Sequence, residues 1–181
     1  KAELLEMFYW HVKNVIDKKK AKSLVNFIKK NHDGLEDDSD AAEGRKYSKT
    51  YTINYGKIRK KLGNIPDLIK EINMKQFGYD LDKFDTEFCI MNTYGVDDQY
   101  GWHYDESRSP LFDTKISCLI NLSDSYEGGE FYTFTGGEQP VPELVPGSLV
   151  MLKSHIVHRV ARVTKGERIT LTLFMNGPKF R

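Results

Sequence analysis

Two periodicities divide the chain. Over "KKKAKSLVNFIKKN", Leu24, Val25 and Ile28 recur at helical spacing, and Asp33 and Gly34 follow closely enough to stop the helix near Asn31. "NIPDLIKEINMK" predicts a second helix, with Pro66 suited to its first turn and Leu68, Ile69 and Ile72 on one face. From Phe88 the character changes. "FCIMNTY", "KISCLINL", "EFYTF", "SLVMLK", "HRVARV" and "RITLTLFM" are short runs rich in β-branched and aromatic residues, and clusters of Gly, Pro, Asp and Ser separate them. Strands that succeed one another without helical patterns between them predict an antiparallel sandwich or jelly roll, not a parallel sheet. The expectation is one domain over residues 1–181, helical to about 87, with a β core over about 88–176. The acidic stretch "HDGLEDDSDAAEG" breaks the periodicity without the carboxylate spacing of a calcium loop, so it reads as a solvated loop.

Composition narrows the partners. Among 181 residues, 27 basic and 26 acidic side chains nearly cancel, so no global field favours nucleic acid or an anionic membrane. The longest apolar runs, such as "ISCLINL", fall far short of the roughly 18 residues of a membrane span. Neither nucleic acid nor a membrane is therefore expected as a partner. Cys89 and Cys118 each sit inside a strand-like apolar run and read as buried free thiols, which suits a reducing cytoplasm. The chain opens at Lys1 with no signal-like apolar segment, which leaves an upstream targeting sequence open.

Candidate chemistry concentrates in two places. In "YGWHYDESRSP", His103 and Asp105 stand two apart, so in extended chain both side chains leave the same face, as a metal taking two ligands from one strand end requires. In "SHIVHRVARVTKGERITLTLFM" a histidine opens one strand, a "TKGE" turn reverses the chain and Arg168 opens the next. Two histidines and a carboxylate with open positions are the facial triad of non-haem Fe(II) oxygenases, and the arginine would hold an anionic co-substrate. Arg168, Thr170 and Thr172 share one strand face; Ile169, Leu171, Leu173 and Met175 share the other. An unpaired buried guanidinium is costly, so an Arg/Thr face turned inward makes sense around a carboxylate; the alternative is an exposed strand with its polar residues in water.

"TYGVDDQYGWHYD", "NLSDSYEGGEFYTF" and "HRVARVTKGERITLTLF" resemble the core of the Fe(II)/2-oxoglutarate-dependent dioxygenases, in particular the prolyl 4-hydroxylase-like branch, over about Phe88 to Phe174. The resemblance implies a mainly β double-stranded β-helix, a cupin-like jelly roll with supporting N-terminal helices. It implies iron ligation by His103, Asp105 and His158, and a grip by Arg168 on the distal carboxylate of 2-oxoglutarate. His158 is preferred to His155 because the family's basic residue follows its distal histidine by about ten positions; His155 is expected in a loop beside the pocket. Tyr94 occupies the position of a tyrosine that faces the co-substrate, with a plain core role as its alternative. Thr170 would add a hydroxyl beside Arg168. Asn121, on the same strand face as Leu119 and Ser117, is expected either at that carboxylate or at a strand-end hydrogen bond. Gly128 and Gly129 read as turn residues.

The implied activity is hydroxylation of an unactivated C–H bond, with 2-oxoglutarate and O2 consumed, succinate and CO2 released, and ascorbate as an accessory. The implied substrate is a prolyl residue in a peptide or protein, with Tyr100, Trp102 and Tyr104 as its wall. Two alternatives stand beside it. One is a free amino acid or other small molecule held by charges drawn from Asp97, Asp98, Arg108 and Lys115; the other is a non-catalytic metal-binding jelly roll.

Overall fold

The computed structural model describes residues 8–37, 46–81, 87–107, 109–141 and 144–179. Its N-terminal part is not purely helical, as expected, but contributes four strands. β1 (Tyr9–Val12) precedes α1 (Lys18–Asn31), and β2 (Gly34–Asp37), β3 (Lys46–Tyr47) and β4 (Lys49–Asn54) precede α2 (Tyr55–Leu62) and α3 (Ile65–Ile72). Four residues of the supposed acidic loop are thus strand, because β2 pairs with β4 from Gly34↔Thr52 to Asp37↔Lys49. Residues 38–44 of that loop lie outside the described residues.

Local chemistry starts and stops the helices. Asp17 caps α1 by accepting the Lys20 N–H at 2.7 Å, and Asn54 caps α2 by accepting the Gly56 N–H at 2.9 Å. Pro66 lies in the first turn of α3, where its missing N–H costs nothing. A π-helical turn, Asn73–Phe77, ends on Gly78 in the left-handed conformation.

The remaining strands are β5 (Phe88–Tyr94), β6 (Gln99–His103), β7 (Phe112–Asn121), β8 (Tyr126–Gly128), β9 (Phe131–Phe134), β10 (Glu138–Pro140), β11 (Leu149–Lys153), β12 (Val157–Val160), β13 (Val163–Gly166) and β14 (Arg168–Pro178). Seven form a large sheet in the order β1-β11-β7-β14-β5-β4-β2, five form a smaller sheet β10-β9-β12-β6-β3, and β13 pairs with β8. All the pairings are antiparallel. The two sheets face one another as a jelly roll, mainly β with supporting helices. "HRVARV" is therefore two strands, and "TKGE" is no simple turn, since Val163–Gly166 forms a ladder with Tyr126–Gly128.

Alternation on the large sheet separates two cores. Cys89, Met91, Cys118, Ile120, Leu171, Leu173 and Met175 pack outward against Leu24, Ile28, Ile58, Leu62 and Ile69 of the helices. Between the sheets a smaller cluster gathers Tyr94, Leu119, Phe131, Val150, Leu152 and Val160. Beside it the inner face of the large sheet is polar, with Arg168, Thr170, Thr172 and Asn92 all buried. Both cysteines are buried thiols, not joined in a disulfide. Among the described residues no helix is long and apolar enough to cross a membrane.

Candidate active site

The small sheet sets the candidate metal-ligating groups. β12 and β6 place His158 directly opposite His103, and Asp105 follows two residues after the end of β6. Asp105 is held there by its own backbone, whose N–H donates to the Ser154 carbonyl at 2.9 Å. Candidate ligand atoms of His103, Asp105 and His158 lie within 4.8 Å of one another. Nε2 of His103 is 3.9 Å from Asp105 Oδ1, and Nε2 of His158 is 3.6 Å from Asp105 Oδ2. His155 is exposed and outside this cluster.

Each ligand is oriented from behind. Nδ1 of His103 donates to the Gly101 carbonyl at 2.8 Å and Nδ1 of His158 to the Ile156 carbonyl at 2.9 Å. With Nδ1 protonated, both Nε2 lone pairs point inward, as second-shell bonds do at metal sites. Ser117 Oγ donates to Asp105 Oδ2 at 2.5 Å. Burial, with the neighbouring His158 adding to it, lowers His103 to about 4, and burial lowers His158 to about 4. Both rings are therefore neutral at neutral pH, the form a metal binds. Burial raises Asp105, and the Ser117 hydrogen bond opposes the shift.

A cleft of about 1110 Å³ runs from this cluster along the inner face of the large sheet. Arg168 lines it with 0% exposure, and Nε, Nη1 and Nη2 have no hydrogen-bond partner among the described residues. The phenol ring of Tyr94, which pairs with Arg168 across β5 and β14, lies 5.4 Å from the guanidinium. Leaving a guanidinium buried and unpaired costs several kcal/mol. A carboxylate received through two parallel N–H bonds removes that cost, and Thr170 lines the same wall. Gly129 leaves the space in which Arg168 lies: a β-carbon there would stand 2.9 Å from Arg168 Cδ, and its φ of +64° is also unfavourable for other residues. The residues present thus fit both a divalent metal and a dicarboxylate reaching beyond it.

The other anticipated residues divide. Tyr94, Tyr100, Trp102 and Tyr104 line the cleft, and Tyr100 stacks on His103 with centroids 3.6 Å apart. Asn121, paired with Thr170 across β7 and β14, does not line the cleft. Its amide donates to Tyr126 Oη at 3.1 Å and to the Leu144 carbonyl, and its Oδ1 accepts the Ser123 N–H at 2.9 Å. This is the strand-end alternative, favoured because a fully buried amide must find local partners. Of the charges considered for a free amino acid, Asp97 pairs with Arg162 at 3.3 Å, Asp98 accepts the Gly95 N–H at 2.7 Å, and Lys115 lies 3.8 Å from Asp113. None of the three lines the cleft, and Arg108 lies outside the described residues.

Sequence reasoning missed the role of Ser117, although its shared face with Leu119 was the available signal. It also missed a relay at the cleft edge, in which Lys46 Nζ donates to Thr50 Oγ1 at 2.7 Å and Thr50 Oγ1 donates to Asn92 Oδ1 at 3.1 Å. Lys46 comes from a two-residue strand that carries no pattern of its own.

The geometry agrees with known proteins. The sequence pattern of the 2OG-Fe(II) oxygenase superfamily matches residues 89–176, which contain the triad and Arg168. A PKHD-type hydroxylase of Synechococcus sp. (strain CC9605) is 39% identical over 82 residues, covering 44% of this chain and 37% of that protein. A PKHD-type hydroxylase of Sphingopyxis alaskensis is 34% identical over 92 residues, covering 48% and 42%. The matches thus span less than half the length of these relatives. In fold, a Pseudomonas putida prolyl-4-hydroxylase superposes with a TM-score of 0.72 at 20% identity, covering 98% of this chain and 96% of that one. The viral collagen prolyl hydroxylase of Paramecium bursaria Chlorella virus-1, solved with 2OG, gives 0.68 at 16% identity, covering 94% and 96%. Residues 89–176 thus carry the sequence pattern of the 2OG-Fe(II) oxygenase superfamily, on a fold like that of the prolyl hydroxylases.

Proposed function

We propose that the chain is a 2-oxoglutarate-dependent hydroxylase whose substrate is a prolyl or similar residue within an extended peptide or protein segment. The family implies Fe(II), 2-oxoglutarate and O2. His103, Asp105 and His158 would hold the iron, and Arg168 with Thr170 and Tyr94 would receive the distal carboxylate of the co-substrate. Bound there, Fe(II) supplies the oxidising chemistry by which one oxygen atom of O2 enters a C–H bond while 2-oxoglutarate leaves as succinate and CO2.

The protein's own contribution is placement and exclusion of water. Neutral Nε2 atoms and the Asp105 carboxylate preset one face of ligands, leaving the opposite side free for co-substrate and oxygen. The two histidine rings release no proton on metal binding at neutral pH. The observation that carries the reading is the fully buried, unpartnered guanidinium of Arg168, which a non-catalytic metal-binding module would not explain.

For the substrate, Tyr100, Trp102 and Tyr104 present aromatic faces on the wall next to the iron ligands. A proline ring stacks on such faces, and proline has no N–H that needs an acceptor. The relatives named as PKHD-type hydroxylases and the prolyl hydroxylases of the same fold favour this reading over a free amino acid. A second reading has one observation in its favour: Lys46, Glu87 and Glu106 also line the cleft and could pair with a carboxylate and an ammonium group.

The test is incubation with Fe(II), ascorbate, 2-oxoglutarate and O2, comparing proline-containing peptides with free L-proline. Succinate release above the uncoupled background, with mass gain of one oxygen on the peptide, is the expected result. Stimulation by the free amino acid alone overturns the peptide reading.

A further inference from the structure

The outer face of the small sheet carries an aromatic cluster that shares only Trp102 with the site above. On β9 and β12, Phe131, Thr133, His158 and Val160 are buried toward the cleft, so Tyr132, Phe134 and Arg159 project the other way. Trp102, the neighbour of His103 on β6, joins them: its ring meets Phe134 edge-on at 5.9 Å. The Arg159 guanidinium lies 5.2 Å from the Trp102 ring and 4.3 Å from the Tyr132 ring, between the two. Glu138 on β10 fixes it there through a 2.5 Å ion pair.

Phe134 is 51% exposed and Trp102 39%, unusual for rings so well held in place. A rigid set of exposed aromatic faces separated by a flat guanidinium is the composition of binding hot spots, not of an idle surface.

We propose that this face docks a proline-containing segment of the substrate, in polyproline II conformation, flanking the residue that enters the cleft. The proposal rests on the peptide reading above. Two features select this occupant. The first is continuity, because Trp102 lines the cleft as well as belonging to the cluster, so one chain can leave the iron site and cross the sheet without a gap. The second is spacing. Trp102 and Tyr132 stand on strands separated by β12, roughly 9 to 10 Å apart, and a polyproline II helix repeats every three residues, roughly 9.3 Å. Successive turns would place a proline ring on each aromatic face. Its carbonyls, fully available because no internal hydrogen bonds form, would meet the cationic edge of Arg159.

The test uses a decaproline peptide and calorimetric titration of the full chain, which needs no turnover. Saturable binding is expected, weakened at least tenfold in Tyr132→Ala and in Phe134→Ala and unchanged in Val96→Ala, an exposed apolar residue elsewhere. A glycine-serine decamer should not bind. Absence of saturable binding, or equal affinity in all four proteins, overturns the proposal. So does sedimentation showing a dimer that Phe134→Ala dissociates, since a second copy would then cover the face. A turnover arm separates this proposal from the one it rests on. Hydroxylation of a proline tripeptide and of a ten-residue peptide with equal KM, in wild type and Phe134→Ala alike, removes the docking face and keeps the function. Decaproline binding that Phe134→Ala abolishes, with no proline peptide hydroxylated, keeps the docking face and removes prolyl hydroxylation.

Discussion

Gly129 and Arg168 are fitted to each other: a β-carbon on Gly129 would lie 2.9 Å from Arg168 Cδ and 3.0 Å from Val163 Cγ2. Gly129→Ala should therefore push the guanidinium off its line and strain a left-handed backbone position. The expected result is a 2-oxoglutarate affinity weakened about tenfold, roughly 1.4 kcal/mol, with metal affinity unchanged. Titration of co-substrate into the metal-loaded protein measures it, and an unaltered affinity would show that Arg168 has room to spare.

Removing the guanidinium itself should cost more. Arg168→Ala is expected to weaken 2-oxoglutarate by about 2 to 5 kcal/mol, as for loss of one partner of a buried charge pair. Arg162, exposed and paired with Asp97, is the control, and Arg162→Ala should leave the co-substrate constant where it was.

Ser117 would act on a bound metal through Asp105. Without its hydroxyl the carboxylate loses the hydrogen bond that fixes Oδ2, so Ser117→Ala should weaken metal binding by about 10- to 100-fold. His155→Ala, on an exposed side chain beside the site, should leave metal binding intact. If His155→Ala releases the metal and His158→Ala does not, the ligand assignment fails.

Protons should destabilise the metal-free protein. His103 and His158 titrate near 4 in the folded chain against 6.5 when unperturbed, chiefly because burial disfavours their charged forms. Between these values the unfolded chain binds more protons, so stability falls as pH drops from about 6.5 toward 4, and the rings cost nothing above that window. The upward shift of Asp105 has the opposite sign and restores part of the loss at the acid end. Melting temperature measured across this range should fall less steeply in His158→Gln than in wild type. Identical slopes would locate the acid sensitivity elsewhere.

Asn121 separates architecture from chemistry. With its amide joined to Tyr126, Leu144 and Ser123, Asn121→Ala should cost about 1 to 3 kcal/mol of folding stability. The 2-oxoglutarate constant should not move. A selective loss of co-substrate binding would reinstate the alternative role.

What the sequence makes legible follows from how each feature is encoded. β14 alternates so cleanly that its Arg/Thr face and its Ile/Leu face are readable from spacing alone, and the structure puts the first on the cleft and the second against the helices. Three strands of the N-terminal part carry no sequence signal because "YWHV", "GLED" and "KY" are too short to show a period; the first and third pair with strands distant in sequence, the second with β4. α2 escaped notice because "YGKIRKKL" is eight residues with a glycine in its first turn. Alternation identified the face on which Ser117 and Asn121 lie but not their partners, since both hydrogen bonds depend on where loops return.

The large sheet also acts as a bulkhead. Cys89, Cys118, Met91, Met151 and Met175 all belong to the core on its helix side, while no sulfur atom lines the cleft among the described residues. Sulfur is the most readily oxidised element in a polypeptide, and here the backbone of one sheet stands between it and the place where oxygen would be activated under the proposed function. Stray oxidation during futile cycles would meet Tyr100, Trp102 and Tyr104 first. Damage should therefore accumulate as modified aromatic rings at the rim of the site, with both thiols still countable after denaturation.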